Sequence, residues 1–261
     1  MNKASYPPSH PWVQSQEVVV WAKPADWPRL TMTEIHVWWA NLDVAPARRQ
    51  RLFAYLSASE RRRALRLRFA HLRDRYIAGR GLLRELIGRY LDADPAQHHF
   101  KLGSFGKPSL PTPGAPELCF NFSDSTDRGL FAFAWERELG VDLECLDREV
   151  NHERISARKF TAREHRALMA MPVQVRRDAF LACWTRKEGF GKAKGVGIRY
   201  PLDSVSLCER CADPMFDIVE PAPSGGAWRL VQIYPAPSYV GSLVYQEGDV
   251  TLRYFAVPDA E

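Results

Sequence analysis

The stretch Cys183–Gly197, CWTRKEGFGKAKGVG, decides how this chain is read. On a helix, Trp184, Glu188 and Lys192 fall four residues apart and share one face. A surface ion pair is the plain reading of Glu188 and Lys192, and such pairs are common and weak. Further upstream, Gly140–Glu144 reads GVDLE. Strand alternation puts Asp142 and Glu144 on one face, with Val141 and Leu143 on the other. Two like charges side by side repel unless a cation or base bridges them. An exposed strand face would account for this fragment alone. Joined by Glu188, the pair becomes an oxygen-rich site of the kind Mg²⁺ takes, built from a few carboxylates, water and substrate phosphate oxygens. Lys192 would then face the phosphate side. The segment GKAKGVG lacks the Gly-x4-Gly-Lys-Ser/Thr spacing of a phosphate loop, so Lys194 reads as a solvent cation or an auxiliary phosphate contact.

Working outward, 261 residues at 46% hydrophobic content can bury a full core, as one large domain or two smaller ones. Charged residues make up 26%, the globular norm, which excludes general disorder. No apolar run reaches the roughly 18 to 20 residues that span a bilayer. MNKASYPPSHPWVQSQ at the N-terminus has no apolar core of a secretory signal. The expected location is the cytoplasm, with no membrane partner. Five cysteines do not suggest a disulfide framework. Cys208 and Cys211 form one C-x-x-C, but no second pair or spaced histidines complete a zinc site. They read as two reduced thiols in a surface loop.

The net charge of +5 is concentrated between Arg48 and Arg89, where thirteen arginines face only Glu60, Asp74 and Glu85. Guanidinium forks match phosphate oxygens, so the cluster suits phosphate or a very acidic partner. A solvated helix face is the bland alternative and nucleic acid the obvious rival. Aromatic interleaving is thin for that rival, which also leaves Asp142, Glu144 and Glu188 without a role.

Residues 1–30 are rich in proline and tryptophan and read as an extended leader laid over the surface. IHVWWANL (Ile35–Leu42) reads as a strand, and Pro46 opens a helical region. Leu65, Phe69, Leu72, Tyr76, Leu83, Leu86, Ile87 and Tyr90 recur at mostly helical spacing, an apolar stripe with arginines opposite. Ser57 before Glu60 is a capping-box pattern, and Gly79 and Gly81 read as close-packing positions. LCFNFSDS and GLFAFAWERELGVDLECL alternate like strands around a turn at Thr126–Gly129. Ile155 to Lys194 is helical again, broken near Met171–Pro172. The tail is strand-rich, with a turn at Glu247–Asp249. Strands and helices are grouped rather than strictly alternating, which predicts an α+β fold of two similar lobes.

These residues resemble the signature pair of the 4′-phosphopantetheinyl transferases, G-(V/I)-D-(L/I/V)-E followed by W-(S/T)-x-K-E-(A/S)-x-x-K-x-x-G-x-G. The order of the further blocks, HVWWANLD, LSASERRRA, GRGLLR, FGKP, FNFSDS and KFTAREHRAL, resembles the two-lobed, surfactin-type branch of that family. The resemblance implies a Mg²⁺-dependent enzyme that moves the 4′-phosphopantetheine arm of coenzyme A onto a serine hydroxyl of an apo acyl or peptidyl carrier protein. Adenosine 3′,5′-bisphosphate is released. By position, Asp142, Glu144 and Glu188 match the acidic metal ligands, with Asp142 also beside coenzyme A. Glu188 matches the base toward serine, and Lys192 the lysine that stabilises the leaving phosphate. Arg63 and Arg75 match cations that hold coenzyme A phosphates. Gly106, Lys107 and Pro108, and then Asn121, Ser123 and Asp124, match nucleotide-contacting loops. The implied architecture is a leader (1–30), an N-terminal lobe (31–139) and a C-terminal lobe (140–261), related by a pseudo-twofold, with coenzyme A between them in a monomer.

The chain departs from the family pattern at two places. Asp124 stands where relatives often carry a phosphate-contacting histidine, and Gly189 where they carry alanine or serine. Glu164 matches a common family acid that either assists the metal region or caps and pairs on its helix. A degenerate homologue that binds without turnover is the remaining alternative, and the intact Asp142, Glu144, Glu188 and Lys192 argue against it.

Overall fold

The computed structural model describes residues 18–111, 114–208, 215–219 and 226–258. Most of the expected leader, and Cys211, lie outside them. The chain divides into two units.

The first unit, Val20–Gly103, Pro108–Arg137 and the chain from Asp249, contains strand β1 (Glu34–Asn41), whose consecutive residues Ile35, His36, Val37 and Trp38 are buried, so both of its faces are covered. Helices α1 (Pro46–Tyr55), α2 (Ala58–Arg66) and α3 (Ala70–Leu91) follow. A small hairpin pairs β2 (Lys101–Leu102) with β3 (Pro108–Ser109). Strands β4 (Leu118–Ser125) and β5 (Arg128–Trp135) then form a hairpin with its turn where expected. The final strand, β10 (Thr251–Ala256), expected within the C-terminal lobe, runs parallel to β1 in this unit, giving the order β10-β1-β5-β4. Phe255 explains the pairing, since its ring packs 4.8 Å from that of Trp38 and is buried there. Trp38, Leu52, Ala78, Leu82, Phe131 and Phe133 centre the core. Gly81 lets α3 touch α1, because a Cβ there would stand 2.5 Å from the Leu52 Cβ.

The apolar stripe does not continue through one helix. Leu67 and Phe69 are extended, so α2 and α3 are separate. Ser57 and Glu60 form the expected capping box. Glu60 and Ala64 are the residues α2 buries, and Glu60 meets Arg80 and Arg84. Because the acid takes the inward face of α2, Leu65 turns outward and is 69% exposed; Phe69 and Leu72, past the end of α2, are 56% and 45% exposed.

The second unit, Glu138–Gly248 with Ser104–Lys107 among its described residues, carries an antiparallel sheet of order β6-β9-β8-β7. These strands are β6 (Leu139–Cys145), β7 (Met215–Val219), β8 (Ala227–Ala236) and β9 (Tyr239–Gln246). Helices α4 (His152–Lys159), α5 (Ala162–Ala170) and α6 (Val173–Ala193) accompany it, with the break between α5 and α6 at Met171–Pro172 as expected. The last helix buries residues on nearly every side, and Val244 of β9 and Leu230 of β8 share a core cluster with its Phe190 and Ala193. It stops at Gly195, whose φ of +74° suits glycine. Gly195 N donates to Lys192 O and Val196 N to Gly191 O, the paired bonds of a Schellman ending.

Candidate functional site

The site in the second unit is built on a backbone contact. A Cβ at Gly140 would lie 2.3 Å from Ala193 N and 2.4 Å from Gly189 O, so only glycine allows α6 to lie this close to β6. That approach brings Glu188 and Lys192 to Asp142. Lys192 Nζ donates to Asp142 Oδ1 at 2.7 Å. Ser242, opposite Asp142 in the ladder, donates its Oγ to Thr185 O at 2.6 Å. A Cβ at Gly189 would stand 2.5 Å from that Oγ. Gly189 is therefore complementary to Ser242.

Asp142, Glu144 and Glu188 are 6%, 7% and 8% exposed, which overturns the exposed-strand reading. Burial pushes the Glu188 carboxyl up to about 7, and the negative charge of Asp142 adds to this. Lys192 and Lys159 pull it back, and Glu144 adds a smaller upward push. Glu188 Oε1 is buried and accepts no hydrogen bond. Arg148 Nη1 holds both oxygens of Glu144, at 2.8 and 2.9 Å. Among the described residues no three acidic, histidine or cysteine side chains are gathered closely enough to hold an ion as they stand. The donor chemistry nonetheless fits a hard cation. All three groups are carboxylates, and a buried, unbonded oxygen beside a second carboxylate is a position that a divalent ion would stabilise. Lys159 and Arg148 were not singled out in the sequence. Arg148 lies four residues past Glu144, and no local pattern marks Lys159.

The crowding of cations around Glu188 resolves by direction. Lys187 is fully buried and bonds Glu164 Oε2, Leu202 O and Val205 O at 2.7, 2.6 and 2.7 Å. Arg186, also buried, donates to Gln232 Oε1 at 2.6 Å and Leu207 O at 3.2 Å. Three consecutive charges on a helix cannot share a face; two serve the core and Glu188 serves the site. Of the two roles open to Glu164, the structure gives capping and pairing. It forms a capping box with Thr161, accepts from the backbone N–H of Leu207 and Cys208, and pairs with Lys187. Lys194 Nζ lies 5.3 Å from the Trp228 ring centre, a cation–π contact. Cys208 is buried rather than on a surface loop, and burial raises its thiol pKa.

The residues expected to hold coenzyme A are distributed as follows. Arg75 donates twice to the Asp43 carboxylate, at 2.6 and 2.7 Å, and these bonds lower the Asp43 pKa. Exposed Arg63 lies over the Tyr76 ring, 5.5 Å from its centre. Asn121 and Ser123 are buried on β4, whereas Asp124 is exposed. Gly106 is exposed with φ +89°, and Pro108 opens β3. Lys107 Nζ bonds the Glu138 carboxylate, Leu139 O at 2.9 Å and Ala193 O at 3.1 Å. Its three protons tie the C-terminus of α6 to the start of β6. The arginine cluster is partly neutralised within the fold. Arg48 pairs with Glu85, Arg49 with Asp74, Arg75 with Asp43, and Arg80 and Arg84 with Glu60. No helix among the described residues is long and apolar enough to cross a membrane.

Comparison with known proteins bears on this arrangement. Residues 138–244 match the 4′-phosphopantetheinyl transferase superfamily, a range that holds Asp142, Glu144, Glu188 and Lys192. The 4′-phosphopantetheinyl transferase HetI of Nostoc sp. is 35% identical over 219 residues, 83% of this chain and 90% of that protein. The 4′-phosphopantetheinyl transferase Sfp of Bacillus subtilis is 31% identical over 160 residues, 60% of this chain and 68% of that one. Among solved structures, the holo-(acyl-carrier-protein) synthase AcpS of Thermotoga maritima shares 19% identity over 42% of this chain and 62% of that chain, with a TM-score of 0.27. Identity at this level along nine-tenths of HetI, with β6 and α6 bringing the acids and lysine of the two sequence blocks together, makes the chain a member of the 4′-phosphopantetheinyl transferase family.

Proposed function

We propose that Asp142, Glu144 and Glu188 hold a Mg²⁺ ion in an enzyme that transfers the 4′-phosphopantetheine group of coenzyme A to a serine of an apo acyl or peptidyl carrier protein. The observation that carries the site is the buried Glu188 carboxylate, with one unbonded oxygen, set in the field of Asp142 and Lys192. Bound there, the ion would supply Lewis-acid charge to the diphosphate. The chain's own groups have separate tasks. Glu188 receives the serine proton as the hydroxyl oxygen bonds to the phosphorus that carries pantetheine. The bond from that phosphorus to the adenosine-side phosphate breaks, and adenosine 3′,5′-bisphosphate leaves. Lys192 offsets the charge gathering on the leaving phosphate. Its present bond to Asp142 keeps the ammonium beside the acids until phosphate competes for it.

Arg63, Arg75, the Gly106–Pro108 loop and Asn121–Asp124 are assigned to coenzyme A. Remote contacts of this kind fix orientation at the reacting phosphorus. Asp43 pre-orients Arg75 for that task. The exposed Asp124 is assigned to the rim, with Ser123 as the closer contact. A monomer acting in the cytoplasm completes the reading.

The test is incubation with Mg²⁺, coenzyme A and a panel of apo carriers, followed by intact mass. A gain of one phosphopantetheine unit on the carrier supports the reading. No gain with any carrier refutes it. Glu188→Gln should abolish the gain while the fold survives, and near-normal turnover in that variant would remove Glu188 from its role.

A further inference from the structure

Two of the three acids assigned to the ion are already bonded to a cation of the chain. Asp142 accepts from Lys192, which has a task in the transfer, and Glu144 accepts from Arg148, which has none. Strand β6 ends at Cys145, and the Arg148 N–H closes a turn on Cys145 O at 3.2 Å. Leu146 N donates to Ser238 O at 2.8 Å, which pins that turn to the connection between β8 and β9. The backbone of Arg148 is therefore held beside Glu144, while its side chain is 55% exposed. Nη1 alone makes both contacts with Glu144, at 2.8 and 2.9 Å, and Nε and Nη2 bond no described residue. A fork of two parallel N–H bonds is the strong form of this pair, and one nitrogen shared between two oxygens is a weaker form. The Glu164–Lys187 pair gives the contrast, since both of its side chains are wholly buried.

We infer that Arg148 is a displaceable counter-cation for Glu144, which competes with the divalent ion and sets how tightly the site holds it. The inference rests on the ion assignment above. Arg148 engages both carboxylate oxygens, so an ion that takes Glu144 must displace at least one of those bonds. This accounts for the three acids not being drawn together as they stand among the described residues. The guanidinium also offsets the repulsion between Glu144 and Asp142, two residues apart on one strand face, so that β6 can bury both acids. Ion entry is then an exchange of one positive charge for another. A half-exposed arginine leaves readily, because water takes over its N–H groups. Competition carries a sign that a supporting role does not: removing Arg148 tightens the ion.

The experiment measures Mn²⁺ binding to chelator-treated protein at fixed salt, from the paramagnetic resonance signal of the free ion. Mn²⁺ takes the same oxygen ligands as Mg²⁺. Arg148→Gln should bind the ion about three- to fivefold more tightly than wild type. Arg148→Lys keeps the charge and should lie between the two. Arg166→Gln, which removes an exposed charge from α5, should bind as wild type does. In thermal unfolding, ion-free Arg148→Gln should be less stable than wild type, and saturating Mn²⁺ should raise its Tm by more. Were Arg148→Gln not to fold, Arg148→Lys decides by the same comparison. An affinity in the variant equal to wild type overturns the inference. A weaker affinity overturns it too, and makes Arg148 a support for Glu144. In either case the ion assignment stands if wild type binds Mn²⁺ and Glu188→Gln binds it less tightly. Wild type that binds no Mn²⁺, or Glu188→Gln that binds it equally well, overturns the ion assignment and this inference together.

Discussion

Gly140→Ala adds one methyl group at the point where β6 meets α6, and its effect can be worked from the contact distances. The new Cβ would sit 2.3 Å from Ala193 N, whereas ordinary contact begins at 3.4 Å. The neighbouring atoms are backbone, so no side chain can rotate away. Relief requires α6 to move from β6 by about the 1.1 Å difference. Overpacking of this kind costs about 1–3 kcal/mol, which a domain of this size survives. The catalytic cost is larger, because the same helix carries Glu188 and Lys192 while the strand carries Asp142. A misplacement of about 1 Å in reacting groups lowers a rate about 100-fold. The Lys192–Asp142 bond of 2.7 Å would be stretched with it. The assay is steady-state transfer to a saturating apo carrier, alongside the KM for coenzyme A and thermal unfolding. The expected result is a folded protein with kcat down about 100-fold and a coenzyme A KM changed far less. A folded variant with kcat near wild type would refute the claim that this close approach sets the site.

Three further outcomes follow from the same geometry. Lys187→Met leaves Glu164 charged and buried without its partner and should cost about 3–5 kcal/mol, read by denaturant unfolding; pairing it with Glu164→Gln should recover part of the loss. Gly189→Ala should lose activity and stability, and Ser242→Ala in the same chain should restore much of both, since the Oγ it would meet at 2.5 Å is then gone. The Glu188 carboxyl is raised from 4.5 to about 7, so its proton favours the folded state. That contribution, on the order of 3 kcal/mol, is full below pH 4.5 and is lost as pH rises through about 7. In chelator-treated protein, Glu188→Gln should flatten the fall in stability between pH 5 and 8, and an unchanged pH profile would refute the shift.

Much of the site was legible because its chemistry is local in sequence. The spacing of Glu188 and Lys192 fixes a shared helix face, and that of Asp142 and Glu144 a shared strand face. The Ser57–Glu60 cap, the break near Pro172 and the packing glycines of α3 were legible for the same reason. The fate of Leu65, Phe69 and Leu72 was not. Periodicity cannot say whether Glu60 or Leu65 takes the inward side when Arg80 and Arg84 arrive from a later helix. The alternatives for Glu164 were likewise closed only by Lys187 and the backbone of Leu207 and Cys208.

The sequence by itself determined the chemistry that gathers here, three carboxylates and a lysine in the order and spacing of one family, because residue type and local period are written in the chain. Tertiary structure alone decided which charges are paired inside the fold. Arg186 and Lys187 satisfy core carbonyls, Lys107 clasps the end of α6, and Lys192 reaches Asp142. Such pairings join segments far apart in the chain, and only packing, down to a missing Cβ at Gly140, sets their distances.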